Sequence, residues 1–305
     1  MERRHFVWKL RDRELLLGER TLLMGVLNVT PDSFSDGGKF ADPDRAFARA
    51  IELEEQGADI IDIGAESTRP GSERISEAEE LRRLVPVLKR LAGKLNAPIS
   101  VDTYKSAVAE KALEHGAAII NDPSGLTWDA QLARATAQHD AALILTHMRG
   151  TPETWAKLAP IKDVMGTIRQ DLDASTHRAQ RAGVERARIA IDPGLGFGKR
   201  KEQNSEILAR LSALASLEFP LVAGPSRKSF LPQTEAPSEG FLLAATAAAV
   251  TAAILNGAHI VRVHDIAEIK AAALVADQIF NFAGTSDNSA SRAVPPRSGG
   301  SAYRK

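Results

Sequence analysis

Residues 98–122, PISVDTYKSAVAEKALEHGAAIIND, contain the unit from which the whole fold can be predicted. The apolar run Pro98–Asp102 predicts a strand, and Lys105–His115 has the apolar spacing of a helix. Gly116 then suits a left-handed helix end, and a second apolar run begins at Ala118. Strand, helix and strand in so short a segment are typical of a parallel sheet with a crossover helix.

The same unit recurs along the chain. The predicted strands are Leu22–Val29, Ile60–Gly64, Pro98–Asp102, Ala118–Asn121, Ala142–His147, Ile189–Asp192, Leu221–Ala223 and His259–Val263. The predicted helices between them include Pro43–Gln56, Ser76–Leu95, Lys105–His115 and Asp163–Ala182. This alternation predicts an α/β fold, a single (β/α)8 TIM barrel over residues 21–283. Residues 1–20 predict a short β-hairpin that closes the bottom of the barrel, and the Ser-, Gly-, Pro- and Arg-rich residues 284–305 predict a disordered tail.

The composition predicts an ordinary globular protein. The chain has 305 residues, and Lys+Arg and Asp+Glu both total 39, so no overall field favours nucleic acid or an anionic membrane. The absence of cysteine excludes disulfides, thiolate nucleophiles and Cys-ligated metals. The start, MERRHFVWKL, lacks the apolar run of a signal peptide, and the Ala-rich stretch Phe241–Leu255 is shorter than the roughly 20 residues that span a bilayer. We therefore expect a cytoplasmic location, with no membrane or nucleic-acid partner.

Polar and charged side chains follow almost every predicted strand, at the point where the strand ends. They are Asn28, Asp62 with Glu66, Asp102, Asn121, His147 with Arg149, Asp192, Arg227 with Lys228, and Arg262 with His264. In a barrel of parallel strands all of these ends open on one face, where the active sites of this fold lie. The helix-to-strand turns at the other end of the barrel, such as Gly57-Ala58, contain few residues that could bind a ligand or react. This asymmetry predicts an active site at the carboxyl ends of the strands.

Two aspartates, Asp102 and Asp192, each end an apolar run. A carboxylate at such a position is costly unless a partner donates hydrogen bonds to it. A ligand with adjacent N–H groups, such as an aminopyrimidinone ring, would be such a partner, and Asn121 could donate and accept beside it. The alternative is that each aspartate caps the helix that follows.

Cationic side chains end the last two strands. Arg262 and His264 alternate in VRVHD, so they lie on the same side of the strand and suit phosphate oxygens. Asn28, on the neighbouring first strand, could reach the same anion or its Mg2+. The alternative for Arg262 is a surface pair with Asp265. Lys228, in AGPSRKSF, allows three interpretations: a hydrogen-bond donor to a bound ring, a Schiff-base lysine of an aldolase, or a solvated side chain.

Two long loops follow the first two strands. They read TPDSFSDGGKF at 30–40 and ESTRPGSERISEAEE at 66–80. Their Gly, Pro and Ser content, together with Phe34 in one and Thr68-Arg69-Pro70 in the other, predicts lids that close over a substrate and exclude water.

These motifs together resemble the ordered motif set of the dihydropteroate synthases. The matching stretches are NVTPDSFSDGG (28–38), IDIGAESTRPG (61–71), SVDTYKS (100–106), IND (120–122), THMRG (146–150), DPGLGFGK (192–199), SRKSF (226–230) and RVHD (262–265). The resemblance covers essentially Leu22 to Phe282. Any one motif would be weak alone, but this set in this order is specific.

The resemblance implies a folate-pathway transferase, a sulfonamide target and usually a homodimer, that condenses 6-hydroxymethyl-7,8-dihydropterin diphosphate with p-aminobenzoate. The implied pterin pocket consists of Asp102, Asn121, Met148, Asp192 and Lys228. The implied diphosphate site consists of Asn28, Arg262 and His264, with Mg2+ at Asn28. The implied p-aminobenzoate site is bordered by Phe34, Thr68, Arg69, Pro70, Phe197 and Ser229. The implied catalytic residues are Asp102, Lys228, Arg262, His264 and Asp36.

The sequence departs from the family pattern at a few positions. Ala65 stands where many members have a second glycine, and Tyr104, where a small residue is common, could narrow or stack at the entrance. Two alternatives are a pterin-binding methyltransferase domain and a non-catalytic pterin-binding paralogue. The first needs no diphosphate site, so SRKSF, RVHD and the long first loop argue against it.

Overall fold

The computed structural model describes residues 3–30, 42–69, 71–232 and 238–289, the last seven of them by backbone alone. The described chain begins with two short strands, β1 (Phe6–Lys9) and β2 (Glu14–Leu17). They pair antiparallel, with Phe6 opposite Leu17. The predicted N-terminal hairpin is therefore present.

Parallel strands form the barrel, and their bounds are β3 (Leu22–Asn28), β4 (Ile60–Gly64), β5 (Ile99–Asp102), β6 (Ile119–Asp122), β7 (Ala142–Thr146), β8 (Ile189–Asp192), β9 (Val222–Ala223) and β10 (Ile260–Val263). They are ordered β8-β7-β6-β5-β4-β3-β10-β9. A single bridge between Ile191 and Leu221 joins the two outer strands and closes the ring. The predicted (β/α)8 barrel is confirmed, and each strand lies within a residue or two of its predicted bounds.

Helices alternate with these strands, and their bounds are α1 (Pro43–Glu55), α2 (Glu77–Leu91), α3 (Ser106–Glu114), α4 (Gln131–Gln138), α5 (Val164–Arg181), α6 (Lys201–Ala209), α7 (Glu239–Leu255) and α8 (Ile266–Ser289). Short 3-10 turns occupy Trp155–Lys157, Arg186–Arg188 and Leu211–Leu217. Helix α2 ends at Leu91, before the predicted Leu95, and Gly93 follows with φ of +65°. Helix α8 continues to Ser289, past the start of the predicted tail at 284, and residues 290–305 lie outside the described residues.

Side chains alternate across the barrel wall. On β8, Ala190 belongs to the apolar cluster inside the ring, whereas Ile189 and Ile191 pack outward against the helices. The inner cluster also contains Trp8 and Leu17 of the hairpin, both almost fully buried. The hairpin therefore packs against the lower barrel interior, and the upper interior is left to the polar strand ends.

Helix α7 contains the apolar stretch that the sequence predicted to be a buried helix. Its residues Thr246, Val250, Ala253 and Ile254 are buried against the barrel. No helix within the described ranges is both long enough and apolar enough to cross a bilayer.

Candidate active site

The ends of β4, β5, β6 and β10 bring together four side chains, of which one is the cation Arg262. Its Nε donates to Asp62 Oδ2 at 2.5 Å, and its Nη2 donates to Asp102 Oδ2 at 2.9 Å. Asn121 Nδ2 donates to the same Asp62 oxygen at 3.2 Å. We call Asp62, Asp102, Asn121 and Arg262 the acid–arginine cluster. The distances show that side chains far apart in sequence converge at the carboxyl ends of the strands, as the sequence predicted.

Asp62 was named among the polar residues at the predicted strand ends, but no ligand or catalytic role was assigned to it. Its side chain is fully buried, and its Oδ1 has no hydrogen-bond partner among the described residues. The signal for it was present, because Asp62 interrupts the apolar run IIDIG just as Asp102 ends its own run. Arg262 also differs from expectation. In this structure its guanidinium binds two carboxylates, whereas the sequence assigned it to phosphate.

Burial raises the pKa of both predicted pocket aspartates. For Asp102, the charge of Arg262 lowers the pKa, and that of Asp62 raises it again. For Asp192, the backbone amide of Gly194 and the charge of Lys228 oppose the effect of burial. An upward shift means that each carboxylate is less well solvated than in water, which is the condition in which a ligand's N–H groups bind it well.

The alternative that each aspartate caps the following helix has a different answer for Asp102 and for Asp192. Asp102 does not cap α3, because the amide of Ser106 at the start of that helix donates instead to Asp129 Oδ2 at 2.8 Å. Asp192 does make a local bond, since its Oδ1 accepts from the Gly194 amide at 2.6 Å. Its second carboxylate oxygen makes no hydrogen bond within the described residues. Asp192 can therefore both hold the turn after β8 and bind a ligand.

Lys228 lies beside the acid–arginine cluster, after β9. Its ammonium is 4.0 Å from the centre of the Phe197 ring, a cation–π contact. Burial lowers the pKa of Lys228 to about 8, and the charge of Arg262 adds to this, while Asp192 and Asp102 oppose it. The interpretation of Lys228 as a fully solvated side chain is therefore wrong. Its desolvation is compatible both with hydrogen bonding to a ring and with the aldolase alternative.

Ser226 and Arg227, which precede Lys228, bind residues at the end of β10 and so hold the loop there. Ser226 Oγ and His264 Nδ1 are 3.0 Å apart, and Arg227 makes a two-pronged ion pair with Asp265 at 2.5 and 3.0 Å. Arg227 has φ of +55°, a conformation uncommon for a side-chain-bearing residue. The predicted surface pair for Asp265 therefore exists, but its partner is Arg227 and not Arg262.

His264 stands at the same end of β10 as Arg262. Burial lowers the pKa of His264 to about 3, and the charges of Arg262 and Arg227 add to the effect. The ring is therefore neutral at pH 7, when one nitrogen donates and the other accepts. A ligand anion beside it would favour the charged form.

The other predicted site residues lie around the mouth with fewer contacts. Asn28 ends β3, and its Oδ1 and the Asp102 side chain both lie within 4 Å of the position that a Cβ on Gly64 would take. Met148 follows β7 and is half-buried, as is Thr68, while Arg69 and Ser229 are exposed. None of these side chains hydrogen-bonds to the acid–arginine cluster within the described ranges. Phe34, Asp36 and Pro70 lie outside the described residues.

A buried ion cluster fixes the base of the second long loop. Lys105 Nζ lies 2.5 Å from Glu66 Oε2 and 2.5 Å from Glu80 Oε2, and the three side chains are at most 10% exposed. Tyr104 belongs to this region rather than to the acid–arginine cluster. It packs edge-on against Trp128 at 4.6 Å, and its hydroxyl donates to Glu66 at 3.4 Å. Tyr104 thus meets Trp128 edge to face, and its effect on the entrance stays a prediction.

Comparisons with known proteins agree with this geometry. Residues 24–264 match the family of pterin binding enzymes. The dihydropteroate synthase of Synechocystis sp. is 44% identical over 86% of this chain and 91% of its own. A Clostridium difficile dihydropteroate synthase, crystallised in the presence of pteroic acid, is 43% identical with a TM-score of 0.81, over 87% of this chain and 98% of its own. The Yersinia pestis enzyme in complex with a sulfonamide drug is 37% identical with a TM-score of 0.84, over 91% and 100%. The chain therefore belongs to the pterin-binding enzyme family and, within it, to the dihydropteroate synthases.

Proposed function

We propose that this chain condenses 6-hydroxymethyl-7,8-dihydropterin diphosphate with p-aminobenzoate, giving 7,8-dihydropteroate and diphosphate. The observation that carries the proposal is the acid–arginine cluster, whose buried carboxylates and cation stand at the barrel mouth beside Asp192 and Lys228. Relatives crystallised in the presence of pteroic acid and in complex with a sulfonamide drug support it. Both ligands resemble a substrate or the product of the proposed reaction. Pteroic acid, for example, contains the joined pterin and p-aminobenzoate units.

The pterin ring binds in the buried part of the site. Asp102 and Asp192 accept from its amino and ring N–H groups, and Asn121 supplies both a donor and an acceptor. Lys228 donates to the acceptor side of the ring, and Met148 packs near its face. Arg262 donates to Asp102 Oδ2, so Asp102 Oδ1 can accept from the ring while the ion pair is kept.

The departing diphosphate binds near Arg262, His264 and Asn28. Arg262 carries a permanent charge, and the neutral His264 ring can donate one hydrogen bond to the anion. Asn28 is the residue that would hold Mg2+, because its Oδ1 is a neutral oxygen ligand that lies near the Asp102 carboxylate beside Gly64. Mg2+ held at Asn28 would supply positive charge that offsets the negative charge of the leaving diphosphate. These residues therefore stabilise the charge that develops as the C–O bond breaks.

The nucleophile needs positioning more than activation. The amine of p-aminobenzoate is neutral near pH 7, so no strong general base is required. Phe197, Thr68, Arg69 and Ser229 border this substrate in the proposal. Phe34, Pro70 and Asp36 take part from the two long loops, which exclude water from the reacting carbon.

A direct assay tests the function. Incubation with dihydropterin diphosphate and p-aminobenzoate should release diphosphate in proportion to new dihydropteroate, and a sulfonamide should compete with p-aminobenzoate. A methyltransferase domain or a non-catalytic paralogue would release none, and an aldolase would be trapped through Lys228 by borohydride. Absence of coupled diphosphate release under these conditions would reject the proposal.

The pH dependence of pterin binding should report on Lys228. Its pKa of about 8 means that it carries its charge below pH 8 and loses it above, so binding should weaken as pH rises. We expect the Kd of the unphosphorylated dihydropterin to rise about fivefold between about pH 7 and 9.5, the difference between a charged and a neutral donor. Calorimetry should show that Lys228→Met binds weakly throughout and loses most of this dependence. A variant with the wild-type pH profile would contradict the assigned role.

We further propose a cytoplasmic homodimer, in which α8 supplies the contact. Val275, Ile279 and Phe282 lie at i, i+4 and i+7 on this helix and are 54%, 51% and 78% exposed, with Leu274 beside them at 56%. A continuous exposed apolar stripe of this kind marks an interaction surface. Sedimentation should give a dimer for the wild type and a monomer for Ile279→Glu. Lys111→Glu, an exposed charge reversal on α3, should stay dimeric, and a monomeric wild type would refute the proposal.

A further inference from the structure

Lys199 holds the glycine-rich loop at residues 192–199 in an arrangement that the sequence did not predict. Its ammonium donates to three backbone carbonyl oxygens: those of Gly194 at 2.7 Å, His147 at 3.0 Å and Phe197 at 3.2 Å. Two of these carbonyls belong to its own loop, and the third follows β7. Lys199 makes no ion pair with a carboxylate in the described parts of the chain. All three N–H donors of the ammonium are therefore used on backbone.

The glycines of this loop explain why its backbone needs a side chain that holds it in place. Gly194, Gly196 and Gly198 have φ of +68°, +81° and +68°, so the loop turns sharply without helix or strand hydrogen bonds. A side chain at Gly194 would collide with the His147 carbonyl, which shows how closely the two loops approach. Carbonyl oxygens that face each other repel unless a cation or a donor lies between them. Lys199 supplies that group.

A second side chain holds the same loop from the other side. Asn204, almost fully buried on α6, accepts from the Gly196 amide at 2.7 Å and donates to the Arg200 carbonyl at 2.8 Å. Burial lowers the pKa of Lys199 to about 7, with Asp192 opposing, and even the neutral amine keeps two N–H donors for these carbonyls. The loop is thus fixed by Lys199 at its carbonyls and by Asn204 at an amide.

The fixed part of the loop includes Phe197. Its carbonyl binds Lys199, and its ring contacts Lys228 Nζ at 4.0 Å on one side and Trp155 at 5.4 Å on another. Moving the backbone of residue 197 would therefore move a ring that touches the site lysine. The contact links a residue outside the acid–arginine cluster to the wall of the site.

We propose that Lys199 is a positioning residue, which sets the Phe197 ring and thereby the wall against which p-aminobenzoate binds. The inference rests on the proposed function, because it names the substrate whose binding depends on Lys199. Asp102 and Asn121 stand on β5 and β6, away from this loop, and Asp192 is also held by the Gly194 amide. Pterin binding should therefore depend on Lys199 less than p-aminobenzoate binding does.

Steady-state kinetics with both substrates tests this role. For Lys199→Met we expect the KM of p-aminobenzoate to rise about tenfold, since small misplacements cost up to about a hundredfold. The kcat and the KM of the pterin diphosphate should change less than about threefold. Lys201→Met, a neighbouring exposed lysine, is the matched control and should behave as wild type. Lys199→Gln, which keeps two N–H donors, should give an intermediate KM and serves if the methionine variant does not fold.

A double-mutant cycle separates positioning from a general structural defect. In a Phe197→Leu background, Lys199→Met should raise the KM of p-aminobenzoate much less than it does in the wild type, because the ring on which it acts is gone. Equal effects in both backgrounds, or equal losses in kcat and in both KM values, would overturn the inference. A wild-type chain that forms no dihydropteroate would instead reject the proposed function, so the two failures are distinct.

Discussion

Replacing Arg262 by methionine should abolish turnover and destabilise the protein by about 3–5 kcal/mol, the usual cost of removing one partner of a buried ion pair. The loss would leave the carboxylates of Asp62 and Asp102 without their cation, and the Asp62 side chain is fully buried. The charge that faces the departing diphosphate would be lost as well. Urea denaturation and the coupled diphosphate assay measure the two effects separately.

A second substitution distinguishes the structural from the catalytic contribution of Arg262. In the double variant Asp62→Asn with Arg262→Met, one of the two unpaired charges is gone, so much of the free energy of unfolding should return. Turnover should not return, because the cation is still missing. A single Arg262→Met variant with wild-type stability would show that the ion pairs to Asp62 and Asp102 contribute nothing to the fold.

The barrel could be predicted from sequence because its evidence is local and repeated. The strand Ile60–Gly64 and the strand Ile189–Asp192 were predicted at the bounds that the structure has, since each is a short apolar run bounded by polar or glycine residues. The convergence of Asp102, Asn121 and Arg262 also followed, because the carboxyl ends of parallel strands share one face. Helix ends were predicted less well. Helix α8 continues to Ser289, although the Ser- and Gly-rich composition from residue 284 predicted a disordered tail.

The pairings within the site could not be predicted, since periodicity tells which side of a strand a residue faces but not which side chain it meets. The alternative interpretation paired Arg262 with Asp265, whereas Arg227 reaches Asp265 from the neighbouring loop. Arg227 does so with a positive φ, which no sequence motif indicates. Arg262 lies on the inner face as expected, but its partners depend on the reach of its side chain across the ring to β4 and β5. Lys199 was part of a recognised motif, but its partners are backbone carbonyl oxygens. Every residue type has such an oxygen, so the sequence could not identify these partners.

The buried cluster under the second long loop should be the largest stability determinant outside the active site. Lys105 neutralises Glu66 and Glu80, and these carboxylates outweigh burial, so the pKa of Lys105 is raised. Lys105→Met should therefore lower the free energy of unfolding by about 3–5 kcal/mol at pH 7. The matched control is Lys111→Met at the last turn of α3, whose exposed pair with Glu114 should contribute little to the free energy of unfolding.

The pH dependence of that deficit follows from Glu80. Burial already raises the pKa of Glu80 in the wild type, although Lys105 opposes it, and removing Lys105 should raise it further. A carboxyl whose folded pKa lies above its unfolded value binds its proton more tightly in the folded state, so stability falls as pH rises between the two values. The deficit of Lys105→Met should therefore be smaller near pH 5 and larger near about pH 8. Denaturation curves with equal deficits at both pH values would show that Glu80 gains no proton, and that the lost packing of the Lys105 chain, rather than its charge, accounts for the effect.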